Sequence, residues 1–110
     1  MATVVNGILS GGGGESLSST GGSSTITVAA GAGTTVLKAS AGRLVQVLVT
    51  TAGTTSLTIY DNASTGSGTI IGITPPTTTV GQVIVFNTPA VNGITAVGAA
   101  GSPAVTASIY

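Results

Sequence analysis

The chain has 110 residues, of which 4% are charged, and its formal net charge is zero. It contains no His and no Cys, which removes imidazole catalysis, thiol chemistry and disulfides. Neutrality also argues against nucleic acid as a partner, because phosphate binding takes several cations on one face.

Residues 1–9 form a small apolar island made by Val4, Val5, Ile8 and Leu9. Residues 10–24 are Gly and Ser with little else, the composition of a linker. A stretch of that length has a root-mean-square span of about 21 Å and a stretched reach of about 50 Å. Its four glycines are followed by no Gly-Lys-Ser/Thr, so they make no phosphate loop. An apolar patch on such a tether reads as an arm that docks on a neighbour, for instance by adding a strand. Residues 1–24 are therefore expected to be a flexible N-terminal arm, and residues 25–110 a single β-domain. The first residues carry no positive charge, so no secretory signal is expected. The sequon at Asn62-Ala63-Ser64 is accordingly read as chance.

Strand signals begin at residues 25–29, where Ile26 and Val28 alternate with threonines. Residues 34–39 follow, then a turn at Ser40-Ala41-Gly42. The run from Arg43 to Thr50 has valines at every second position and leucines between them, the pattern of a strand covered on both faces. Thr51-Ala52-Gly53-Thr54 is a short connection whose Gly suits a hairpin turn with positive φ. It leads into residues 55–60, where Leu57 and Ile59 face a core and Thr58 and Tyr60 face away. Residues 43–60 are thus expected to form a central hairpin. The loop of residues 61–68 precedes a strand at 69–73, closed by Pro75-Pro76, which no central ladder accommodates. Further strands are predicted at 81–87, ending at a break at Thr88-Pro89, at 94–97, and at 105–110.

About eight short strands with Gly/Pro punctuation and no helical period predict an all-β, antiparallel, jelly-roll-like β-sandwich. A mean hydropathy of +0.65 does not imply a membrane protein. Gly, Ser, Thr or Asn interrupts every apolar run, whereas a spanning helix needs about 20 apolar residues in a row. Solubility is the harder question, because free sheets guard their edges with charge, and ordinary chains are roughly 25% charged. Lys38 and Arg43 are the only cations. The expectation is that sister subunits or a larger surface cover the exposed edges.

No catalytic, cofactor-binding or metal-ligating set is expected. Glu15 and Asp61 are the only carboxylates, and the first lies in the linker. They are too few for a positioned acid/base pair or a coordination shell. Tyr60 is expected to pack on the sheet, and Asp61 with Asn62 to shape an Asx-type turn. If residues 43–60 pair as a hairpin, Arg43 and Asp61 fall near one another as a local salt bridge. Threonine spacing follows no constant interval, against an ice-binding face, and three aromatics make no sugar platform. The one docking element read from the sequence is the arm with Val4, Val5, Ile8 and Leu9.

Several phrases carry a likeness: Leu57-Thr58-Ile59-Tyr60-Asp61-Asn62, Gly68-Thr69-Ile70-Ile71-Gly72, Phe86-Asn87-Thr88-Pro89-Ala90, Asn92-Gly93-Ile94-Thr95-Ala96 and Pro103-Ala104-Val105-Thr106. Together they resemble the small β-sandwich decoration, or cement, proteins of tailed-bacteriophage capsids, over residues 34–110. The resemblance implies a structural virion protein rather than an enzyme. It also implies a homotrimer or homodimer seated on the major capsid protein at the outer capsid surface, with no cofactor, nucleic acid or membrane. The alternative from another class is a receptor- or glycan-binding domain of a phage tail fibre or spike.

Overall fold

The computed structural model describes residues 24–110. They form eight strands: β1 (Ser24–Val28), β2 (Gly33–Lys38), β3 (Gly42–Thr51), β4 (Leu57–Tyr60), β5 (Ile70–Ile73), β6 (Val83–Ala90), β7 (Ile94–Gly98) and β8 (Ala104–Ile109). Two antiparallel four-stranded sheets, ordered β1-β8-β3-β6 and β2-β7-β4-β5, make the expected β-sandwich. Strand β1 pairs with β8, β2 with β7, β3 with β6 and β4 with β5. One long hairpin bent between β4 and β5 and rolled up, with successive pairs falling in alternate sheets, gives that set. It is the jelly-roll topology. The arm expected at Val4, Val5, Ile8 and Leu9 lies outside the described residues.

Alternation in each strand decides what lies between the sheets. Leu44, Val47 and Val49 of β3 meet Leu57 and Ile59 of β4, Ile94 and Ala96 of β7, and Val105, Ala107 and Ile109 of β8 in one cluster. A fully buried aliphatic side chain of this size contributes roughly 1.5–3 kcal/mol. This core is almost entirely aliphatic, with the Phe86 ring only partly buried against it.

The central hairpin does not form. Strand β3 pairs with β6 and β8, whereas β4 pairs with β5 and β7 in the opposite sheet. Residues 52–56 cross from one sheet to the other. Gly53 is not needed for positive φ, since it is absent from the glycines with that geometry. It is needed for closeness: a Cβ there would lie 2.5 Å from the Pro103 nitrogen and 2.9 Å from the Gly101 carbonyl oxygen.

Nor does β6 stop at Thr88-Pro89. It passes through a bulge and continues to Ala90, with Arg43 opposite Pro89. An edge strand tolerates proline because one side of its backbone has no ladder to feed. Lys38 does end an edge strand, β2, but Arg43 sits on β3, in the interior of its sheet.

Four buried polar residues tie the connections together. The Gly53 N–H donates to Thr78 Oγ1 at 2.9 Å, and the Leu57 N–H to Thr74 Oγ1 at 2.8 Å. The Gly31 N–H donates to Ser102 Oγ at 2.9 Å, and Thr95 Oγ1 donates to the Asn62 carbonyl at 2.7 Å. Each buried hydroxyl thereby has a partner, as burial demands. The first three close one end of the sandwich, formed by residues 29–32, 52–56, 74–82 and 99–103. No charged residue occurs in those connections.

Candidate interaction surface

The outer face of the β1-β8-β3-β6 sheet is built from two rows that the register fixes. One row runs Thr27, Thr106, Leu48, Val83, and the next runs Thr25, Ser108, Gln46, Val85. Hydroxyls occupy the β1/β8 half, and three aliphatics with Gln46 occupy the β3/β6 half. Leu48 is 39% exposed, Val83 51% and Val85 66%. Neither row holds a charge.

Strand β3 explains why this face stands out. Its near-continuous apolar run predicts cover on both sides, yet among the described residues only the inner side has it. Val47 and Val49 are fully buried, while Leu48 between them faces outward. Beyond Leu48 the same apolar zone continues at Val80, exposed at the tip of a turn. There the Gln82 N–H donates to the Thr79 carbonyl, and the Gly81 N–H to the Val49 carbonyl. On the opposite sheet, the neighbouring edge strand β5 exposes Ile70 and Ile73. One rim of the sandwich is therefore apolar on both sheets.

The rim strand β6 is regular from Val83 to Phe86 and then breaks register. Leu44 pairs with Thr88 and Gln46 with Val85, so Phe86 and Asn87 together oppose Val45. Asn87 takes the left-handed conformation (φ +49°), which Asn tolerates better than other side chains. Arg43 Nη1 donates to the Asn87 carbonyl oxygen at 3.0 Å and to its Oδ1 at 3.2 Å. A bulge and a proline in the lower half of β6 are devices that spoil edge-to-edge pairing. The upper half has neither.

The expected Arg43–Asp61 bridge is not formed, since β3 and β4 lie in different sheets and Arg43 serves Asn87. Asp61 instead reaches the turn between β6 and β7. Its carboxylate accepts the N–H groups of Val91 at 3.0 Å, Asn92 at 2.7 Å and Gly93 at 3.3 Å. Those backbone donors, Asn92 foremost and then Val91, hold its pKa below the ordinary aspartate value. The Asx-type turn is made by Asn62 alone, whose Oδ1 accepts from the N–H groups of Ser64 and Thr65, both at 2.9 Å. The loop so shaped folds back over Tyr60 and Val97, against which Gly66 packs closely. Tyr60 is half-buried, on the sheet as expected. These residues fix the loops around the ends of β4 and β6.

Among the described residues there is no enclosed cavity and no cluster of three metal-ligating side chains. What the surface offers is area: two charge-free, partly aliphatic rows on a braced frame. The sequence pointed to Val83 and Val85 only as members of a strand. Their signal was that both parities of residues 83–86 are apolar, although an edge strand needs only one. No protein-family model matches the chain, and no curated protein or solved structure matches it at a significant level.

Proposed function

We propose that this chain is a structural virion protein, a decoration or cement protein that binds the major capsid protein on the outer surface of a phage head. The observation that carries the reading is the uncovered side of β3. Strand β3, apolar at most positions, exposes Leu48 beside Val83 and Val85, and neither row of the face they share holds a charge. Packaged DNA pushes a shell outward, and a small rigid β-block across subunit junctions resists their separation. That task needs wide, shape-matched contact and no reaction. A fold shared with many viral coat domains supports the reading by analogy only. A homotrimer or homodimer fits the same role, because linked copies bind many junctions with the gain of avidity.

The test is co-sedimentation of the purified chain with isolated heads, together with a low-resolution image of the decorated particle. Stoichiometric occupancy of the outer shell is expected. Val85→Asp places a carboxylate in the apolar zone and is expected to abolish occupancy while leaving the melting temperature unchanged. Label confined to the tail, or a glycan-array signal, sinks this reading in favour of a receptor-binding domain.

A further inference from the structure

Among the described residues the outer edge of β6 pairs with no strand, and the chain itself holds a segment suited to it. Where the described chain begins decides this. Ser24 opens β1 at the far rim of the sheet, and the register sets Val83–Phe86 level with residues 24–27. A strand added beyond β6 lies four strand spacings from β1, about 19 Å, or about 22 Å allowing for rise along the strand. Residues 10–23 separate Leu9 from Ser24, and fourteen residues of their Gly/Ser-rich composition have a root-mean-square span of about 19–22 Å. Local concentration at a tethered site is greatest when these two lengths agree, and it reaches the millimolar range.

The side chains agree as well. In the segment Val4-Val5-Asn6-Gly7-Ile8-Leu9, Val4 and Ile8 share one parity and Val5 and Leu9 the other. An ordinary edge strand with one wet face does not call for apolar residues on both. The upper half of β6 does. Its outward residues Val83 and Val85 are exposed, and its inward residues Ile84 and Phe86 are only partly buried against the core. Neither the segment nor residues 83–86 carry a charged side chain. A second copy meeting β6 edge to edge would pair only the few residues before the Asn87 bulge. That falls well short of the roughly 1,000 Å² a stable interface needs.

We propose that residues 4–9 add to the free edge of β6 in the same chain as a fifth strand of the β1-β8-β3-β6 sheet. The added strand seals the β6 edge over residues 83–86, which hold neither Lys nor proline, and it extends the charge-free rows of the face by one strand.

The full chain without native cysteine allows a direct test. Ile8→Cys is paired with Val85→Cys on the β6 rim or, as control, with Thr27→Cys on the β1 rim, which lies nearer the start of the linker and is also within its reach. Mild oxidation at micromolar concentration is expected to give an intrachain disulfide in the first pair, insensitive to dilution, and at least about tenfold less in the second. Hydrogen exchange provides the second readout. Amides of residues 83–86 are expected to exchange about tenfold more slowly in the native chain than in Val5→Asp/Ile8→Asp. Equal cross-linking to both rims with equal exchange rates overturns the proposal. Interchain disulfides that grow with concentration overturn it in favour of a second copy. Protection that appears only on adding shells overturns it in favour of the shell protein. Except for that last arm no head is present, so the outcome is separate from whether the chain decorates capsids.

Discussion

At the scale of single residues, two positions carry unusual weight. The carboxylate of Asp61 gathers three backbone N–H groups of the β6–β7 turn and is held in its charged form by them. Its folded pKa is depressed, so its contribution is present above the unfolded carboxylate value of about 4 and is lost as pH falls through the folded one. Asp61→Ala is therefore expected to melt below the native chain at neutral pH. The gap should close on acidification below about pH 4, a comparison that thermal melts across the range read directly. A constant gap at all pH values would show that the anion is irrelevant. Gly53 is the second position. A methyl group there runs into backbone atoms of residues 101 and 103, not into a side-chain tip that can swing away. Gly53→Ala is expected to cost about 1–3 kcal/mol in urea unfolding, although its φ is unexceptional.

Among elements, β3 is the instructive one. Leu44 and Leu48 look alike in the sequence, and the strand sends them to opposite fates, one fully buried and the other facing outward. Leu44→Ala is expected to lose about 2–5 kcal/mol of stability. Leu48→Ala should change stability by less than about 0.5 kcal/mol and yet weaken uptake onto heads. Denaturant titrations and co-sedimentation of the two variants separate these effects. The existence of all eight strands was legible from alternation and Gly/Pro spacing, and so was the sandwich class. Their pairing was not. Residues 43–50 and 55–60 stand next to each other in sequence and read as a hairpin, but partner choice in a jelly roll is settled by segments far apart. Strand β3 takes β8, about 60 residues later, and nothing local to Gly53 encodes that. The bulge at Asn87 was hidden for a related reason, because its stabilising contact comes from Arg43 on another strand. The exposed face was half legible: the two-sided run of β3 was visible, but which side stays open depends on the other sheet.

For the whole molecule, the distribution of charge matters more than its sum. Lys38, Arg43 and Asp61, the only charged side chains among the described residues, all lie at the end where β2 finishes, β3 begins and β4 finishes. The opposite end and the two rows of the outer face that contain Leu48 and Gln46 have none. Contact through such surfaces gains little from Coulomb attraction. Occupancy on heads is thus expected to stay unchanged between about 0.05 and about 0.5 M salt, whereas a steep decline would place the contact at the charged end.

The position of β8 has a consequence for how the molecule comes into being. The final strand in sequence lies between β1 and β3, inside its sheet rather than at a margin. Until residues 104–109 emerge, β1 has no neighbour among the described strands and β3 lacks one of its two, so early-made strands wait with raw hydrogen-bonding edges during synthesis. Closure over such long sequence separations is slow. Half-made copies are therefore the ones most open to aggregation, and slower docking of β8 is expected to lower the yield of folded chain.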